Sequence, residues 1–227
     1  MGMTDGAWGS DRFGSDLTAV LVASLEEIRS GPALARAAAG AAAAADAICG
    51  ERPMACTAGC PHCCVLNVAV LLPEGMVIAD WLRERLPPAA LAELRKRLAY
   101  HRSWGRWMDD EERIARQEEC PLLDDAGSCS IYPVRPLACR GVASLDRTSC
   151  REAFNPIISD QERLVPADLL RRAAFDAAFK ALAQALRHHG LDDRSIELGA
   201  GVLAFLERSD CRELLLSGTR LPRELWD

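Results

Sequence analysis

The chain has 227 residues, of which 49% are hydrophobic and 26% are charged, and its formal net charge is −6. A chain of this size and composition buries a sizeable core, so it needs no covalent cross-links to fold. The negative charge argues against nonspecific nucleic-acid binding, which depends on clustered Lys and Arg, and no stretch is apolar and long enough to predict a membrane span.

The N-terminal residues show neither the basic segment nor the apolar segment of a secretory signal, so we expect a cytoplasmic protein in a reducing compartment. Residues 1–15 are predicted to be disordered, and residues 16–227 are predicted to form a single helical domain. An unidentified protein is expected as partner or substrate, whereas nucleic acid and membrane are not.

Two helices are predicted before the first cysteine run. Apolar residues recur at helical spacing over Leu17–Ile28, and this helix is expected to stop at Ser30–Pro32, because Gly favours a helix end and Pro cannot continue one. The stretch Ala33–Ala47 predicts a second helix, since alanine loses no side-chain entropy on becoming helical. After the run, β-branched residues over Val65–Leu72 predict an extended segment that leads into a helix beginning at Pro73.

Further helices are predicted later in the chain. Residues 89–102 and 106–119 predict two helices that form a scaffold between the cysteine runs, and apolar stripes follow over Phe175–Leu186 and Leu198–Leu206. The sequence therefore predicts a mainly α fold, in which helices pack around two irregular cysteine-rich metal-binding loops with little or no sheet.

The chain contains ten cysteines, and seven of them fall in two short runs. The first run holds Cys56, Cys60, Cys63 and Cys64, and the second holds Cys120, Cys129 and Cys139. Four thiols within nine residues of loop-like sequence can share a positive charge, so the runs predict metal ligation. The alternative is a helical core face of small residues, but Gly59 and Pro61 predict a turn at Cys60 instead.

The second run supplies ligands to complete a site begun by the first. Adjacent side chains diverge, so one of Cys63 and Cys64 is expected to join Cys56 or Cys60 and the other to join a second site or the later run. With Cys150 added, eight cysteines are candidate ligands, enough for two four-thiolate sites or for one cluster with supporting thiols. Spacing alone leaves zinc and iron–sulfur clusters both open.

Two arginines lie beside the predicted ligands of the second run. Arg135 and Arg140 are expected to donate hydrogen bonds to cluster sulfurs, which would make them cofactor-binding residues. The alternative is ion pairing with nearby aspartates, namely Asp124, Asp125 or Asp146. His62 is a less favoured nitrogen ligand. Of the two cysteines outside the runs, Cys211 is expected to be structural, and Cys49 to be either a packed thiol or an extra ligand.

This pattern resembles the YkgJ-type cysteine-cluster family, whose hallmark is a CxxCxxCC motif and which is described as a zinc- or iron-chelating domain. The resemblance covers about residues 56 to 150 and includes the Tyr132-x-x-Arg135-Pro element before Cys139-Arg140. This chain departs from the motif in having three residues, not two, between Cys56 and Cys60. The pattern is also distantly similar to the flagellin lysine N-methylases, which implies a 4Fe-4S cluster and S-adenosylmethionine as possible cofactors.

Three functions follow from these observations, and whether the protein is an enzyme stays open. The leading hypothesis is a cysteine-cluster metalloprotein that binds an iron–sulfur cluster or iron through thiolates and acts in redox chemistry, metal handling or protein modification. The first alternative is a zinc-stabilised structural or interaction module. The second alternative is an S-adenosylmethionine-dependent protein lysine N-methyltransferase, which has no support beyond the resemblance because no glycine-rich nucleotide-binding fingerprint follows a predicted strand.

Overall fold

The computed structural model describes residues 8–26, 30–105, 107–156 and 165–226, and within these ranges it is mainly α-helical, as predicted. The helices are α1 (Ser10–Glu26), α2 (Gly31–Cys49), α3 (Leu72–Arg85), α4 (Pro88–Gly105), α5 (Asp110–Arg116), α6 (Leu137–Gly141), α7 (Arg147–Ala153), α8 (Leu169–His188), α9 (Leu198–Glu207) and α10 (Asp210–Ser217). The strands are β1 (Ala69–Leu71) and β2 (Ser195–Glu197), and short 3-10 helices span His62–Val65, Tyr132–Val134 and Arg223–Leu225.

The N-terminal region corrects the predicted disorder and locates the start of the second helix. Helix α1 begins at Ser10, so residues 10–15 are helical and not disordered, and Phe13 packs against the core. The tripeptide Ser30–Pro32 begins α2, because the Ser30 side chain accepts a hydrogen bond from the amide of Ala33 and Pro needs no partner in a first turn. Residues 1–7 and Ile28 lie outside the described residues, and the single-domain assignment stays a prediction.

The largest helical layer is built from small residues. Helix α8 packs against α1, α2 and α6. Ala41 and Ala45 of α2 are fully buried, as is Leu182 of α8, so the alanine-rich sequence allows close packing of these helices. In the part of the chain that the structure describes, no helix combines the length and the apolar character needed to cross a membrane.

A second layer is built around α9, which packs against α3 and α4. The strands β1 and β2 form an antiparallel pair in which Val70 lies opposite Ile196. The predicted extended segment is therefore a strand of only three residues, and its partner precedes α9. Leu198 donates a backbone hydrogen bond of 2.9 Å to Val68, which fixes the start of α9 beside the segment that follows the first cysteine run.

The helix predicted over residues 106–119 is shorter in the structure. Helix α5 begins at Asp110 because the carboxylate of Asp109 accepts a hydrogen bond of 2.8 Å from the amide of Glu112 and so caps the helix. The helix ends before Gln117, which has a left-handed backbone conformation with φ of 52°. Trp107 consequently lies in the turn between α4 and α5.

Candidate metal centre

The first cysteine run folds as a turn followed by a 3-10 helix. Gly59 has a positive φ of 83°, and the amide of Cys60 donates a hydrogen bond of 3.2 Å to Thr57, which confirms the predicted turn. The 3-10 helix that follows contains Cys63 and Cys64. The carbonyl oxygen of Cys64 accepts a hydrogen bond of 2.8 Å from the amide of Cys120, so the two runs are in direct backbone contact.

The second run is held in place by a tight turn. One carboxylate oxygen of Asp124 accepts hydrogen bonds from the amides of Ala126, at 3.0 Å, and Ser128, at 2.8 Å. The residues flanking this turn, Leu123 and Cys129, pair as an antiparallel bridge. The turn places Cys129 beside the segment that begins at Cys120.

The two runs surround one cavity of about 260 Å³. Its lining includes Cys56, Cys60, Cys63, Cys64, Cys120, Cys129 and Cys139. All ten cysteines of the chain are free thiols. The structure thus brings together every cysteine of the two runs, while their role as ligands stays a prediction.

Cys150 lies in α7, buried beside the cysteines of the first run. The amide of Ser144 donates a hydrogen bond of 3.3 Å to the sulfur of Cys56, and the Ser144 side chain interacts with the Cys150 thiol. Burial raises the pKa of Cys150, the contact with Ser144 opposes that rise, and the nearby thiols of Cys56, Cys63 and Cys60 add to it. Cys150 is therefore a neighbour of the cavity and not part of its described lining.

The thiols around the cavity differ in acidity. The hydrogen bond between the adjacent side chains of Cys63 and Cys64 lowers the pKa of Cys63 to about 7 and raises the pKa of Cys64. Burial raises the pKa of Cys120 to about 12 and raises that of Cys139 well above its usual value. Buried thiols are therefore protonated near neutral pH, and metal binding to them would release protons.

Arg135 and Arg140 have different positions relative to the cavity. The guanidinium of Arg135 lies 3.9 Å from the ring centroid of Tyr132, lines the cavity and has a buried Nε without a hydrogen-bond partner among the described residues. Arg140 donates hydrogen bonds of 2.8 Å to the carbonyls of Pro133 and Arg135 and forms an ion pair with Asp46.

The two predictions for these arginines therefore separate. The guanidinium of Arg140 donates to the loop before α6 and is not among the residues that line the thiol cavity, so its position does not support the predicted hydrogen bonds to cluster sulfurs. Its carboxylate partner, Asp46, is also none of the three aspartates that we considered from the sequence. The cofactor contact proposed for Arg135 is compatible with its position and stays a prediction.

Three less favoured candidates lie away from this cavity. His62 faces a separate groove, where burial and the charges of Arg147 and Arg151 lower its pKa. Cys49 is buried at the end of α2, and Cys211 is fully buried in α10. Neither cysteine lines the cavity, so both positions fit packed thiols.

Two residues that support the site were missed in the sequence. Arg113 of α5 is 1% exposed and hydrogen-bonds the segment after Cys64. The buried carboxylate of Glu74 accepts hydrogen bonds from the amides of Leu71, at 2.9 Å, and Leu137, at 2.7 Å, so it caps both α3 and the helix that carries Cys139. The Pro-Glu start of α3 signalled the first cap, but no local pattern pointed to the contact with Leu137.

The residues around the cavity fit a metal that prefers sulfur. The donor set is rich in thiols, and Arg135, whose buried Nε has no hydrogen-bond partner among the described residues, lines the same cavity. Among the described residues, however, no group of three or more His, Cys, Asp or Glu side chains is arranged to hold a metal ion.

Comparison with family models decides which class of domain this is. Residues 55–157 match the CxxCxxCC family, which carries the description "Putative zinc- or iron-chelating domain". The match confirms the predicted family and supports a zinc- or iron-chelating cysteine cluster. Comparisons with curated proteins and with solved structures gave no match.

The CxxCxxCC domain contains both cysteine runs and Cys150, together with α3 to α7. Helices α1, α2 and α8 to α10 flank it in sequence, yet α2 and α8 pack directly on α6, which carries Cys139. The flanking helices therefore help to support the wall of the cavity.

Proposed function

We propose that this protein chelates iron, either as an iron–sulfur cluster or as iron ions, through cysteine thiolates drawn from both runs. The observation that carries the proposal is the single cavity lined by seven cysteines. Zinc and iron–sulfur clusters both accept tetrahedral sets of thiolates, so the donor set by itself supports metal chelation of either kind.

The number of cysteines favours the cluster over a single ion. Seven cysteines line the cavity, which exceeds the four that one tetrahedral ion uses.

The chemical role follows from what a thiolate-bound iron centre supplies, which is electron transfer or storage and delivery of the metal. Burial of the thiols and a cation beside them are the features by which a protein adjusts the potential of such a centre. Because free thiols persist under reducing conditions, we place the protein in the cytoplasm.

Anaerobic purification followed by visible absorption, iron, sulfide and zinc analysis tests this proposal. A brown protein that contains iron and acid-labile sulfide is expected. A colourless protein loaded with zinc would favour the structural zinc module. Failure to bind either metal after reconstitution would overturn the proposal.

Substitutions assign the metal to this cavity. Cys63→Ser and Cys120→Ser are expected to lose most of the metal, because one residue from each run contributes to the same chamber. Cys211→Ser is the matched control, since this buried cysteine lies outside the cavity and its loss should leave the metal content unchanged. Equal metal content in all three variants would contradict our assignment.

The methyltransferase alternative has a separate test. Titration calorimetry with S-adenosylmethionine, on the metal-loaded protein, is expected to show no binding if the protein is a carrier or electron-transfer protein. Saturable binding would make a protein-modifying enzyme the better hypothesis.

A further inference from the structure

Helix α5 contacts three cysteine-bearing segments although it contains no cysteine. The guanidinium of Arg113 donates hydrogen bonds to the carbonyl of Val65, at 3.1 Å, and to the side chain of Asn67, at 3.0 Å, both directly after the first run. It also donates to the carbonyl of Glu118, at 3.4 Å, just before Cys120. One side chain therefore joins the end of the first run to the beginning of the second.

The end of α5 extends this connection to the third segment. The side-chain amide of Gln117 donates hydrogen bonds of 2.8 Å to Ile114 and 2.9 Å to Phe154, the residue at the C-terminal end of α7. Helix α7 carries Cys150. The contacts of α5 thus fix the spacing of the segments that bear Cys63 and Cys64, Cys120, and Cys150.

Arg113 is unusual among the arginines of the cavity wall. It is 1% exposed, and its three described hydrogen bonds all go to carbonyl or amide oxygens and none to a carboxylate. Burying a guanidinium is costly unless its donors are satisfied by fixed acceptors. An arginine in this setting holds its acceptors in a defined geometry, because its planar donors point in fixed directions.

We propose that Arg113 is a positioning residue for metal binding: it sets the register between the two cysteine runs, and metal affinity depends on it although it is no ligand. This inference rests on the proposed metal-chelating function. The residue acts through the backbone that carries the thiols. In metal sites generally, loss of a residue that orients the ligands weakens metal affinity by roughly 10- to 100-fold.

The test compares metal affinity in folded variants by competition with a chelator, using zinc as the probe ion. Arg113→Met removes all three hydrogen bonds at similar side-chain length, and roughly 10- to 100-fold weaker binding is expected. Arg113→Lys keeps the charge, but one ammonium group cannot span the three acceptors. It is expected to bind as weakly as Arg113→Met.

Arg194→Met is the matched control. Arg194 also makes several hydrogen bonds, to the carboxylate of Asp192 and the carbonyl of Leu221, but it lies outside the CxxCxxCC domain. Its loss should lower the stability of the fold and leave zinc affinity unchanged. Circular dichroism and a count of ten thiols in the denatured protein establish that the variants differ in neither fold nor cysteine content.

The outcomes separate the inference from the function on which it rests. Wild-type affinity in Arg113→Met, or its restoration by Arg113→Lys, would overturn the positioning role while the proposed function stands. Absence of zinc and iron binding in the wild-type protein would overturn both. If Arg113→Met does not fold, Asn67→Ala tests the inference instead, because it removes one acceptor of Arg113 at an exposed position. Several-fold weaker zinc binding is expected, and wild-type affinity would refute the inference.

Discussion

The buried carboxylate of Glu74 makes the stability of this protein depend on pH in a predictable direction. Burial raises the pKa of Glu74 from 4.5 to about 7, against the opposing effects of two backbone hydrogen bonds and Arg140. Between these values the folded state keeps a proton that the unfolded state has lost, so the free energy of unfolding falls as pH rises. At about 1.36 kcal/mol per pKa unit, the shift corresponds to a loss of about 3 kcal/mol by neutral pH.

Glu74→Gln removes this titration and keeps the shape of the side chain. The amide retains one oxygen for the amides of Leu71 and Leu137, so one hydrogen bond is lost and the variant should be less stable than the wild type by about 1–3 kcal/mol at low pH. As pH rises from about 4.5 to 7, this gap should close or reverse, because only the wild type loses stability.

Urea unfolding of both proteins across this pH range measures the gap. Subtracting one curve from the other cancels the titration of all groups that the two proteins share, including His101. Parallel curves, with a constant difference in free energy at every pH, would refute the reasoning, since they would show that Glu74 titrates alike in the folded and unfolded states.

Three further predictions concern other parts of the fold. His101 is 2% exposed and burial lowers its pKa, so stability should fall as pH drops below 6.5, and urea unfolding of His101→Leu should lack this loss. A methyl group at Gly201 would lie 2.8 Å from a side-chain carbon of Ile196, so Gly201→Ala should lower the free energy of unfolding by about 1–3 kcal/mol. Thermal unfolding measures this loss, and an unchanged melting temperature would contradict this packing. Arg140→Met removes two hydrogen bonds to the preceding loop, so it should lower the free energy of unfolding by about 1–3 kcal/mol and leave the metal content unchanged. Loss of metal would instead support the sulfur contact predicted from the sequence.

The helix boundaries depend on hydrogen bonds that local composition does not specify. Ser30–Pro32 has the composition of a helix end and of a helix start, and it lies between α1 and α2 with Ser30 capping α2. The acidic stretch after Trp107 has helical composition throughout, but the carboxylate of Asp109 caps a helix that begins at Asp110, four residues after the predicted start. Local composition allowed both outcomes in each case, and the competition between them was decided by hydrogen bonds and contacts that the pattern does not contain.

The sequence by itself determined the features that depend on neighbours along the chain: the helical periodicity, the turn at Cys60, and the grouping of thiols that resembles the CxxCxxCC family. Only the tertiary structure decided that both cysteine runs share one chamber, that Arg140 donates hydrogen bonds to the loop before α6, and that Arg113 joins the runs. The physical reason is that a turn is selected by backbone conformation over a few residues, whereas the partner of a long side chain is whichever acceptor packing brings within reach.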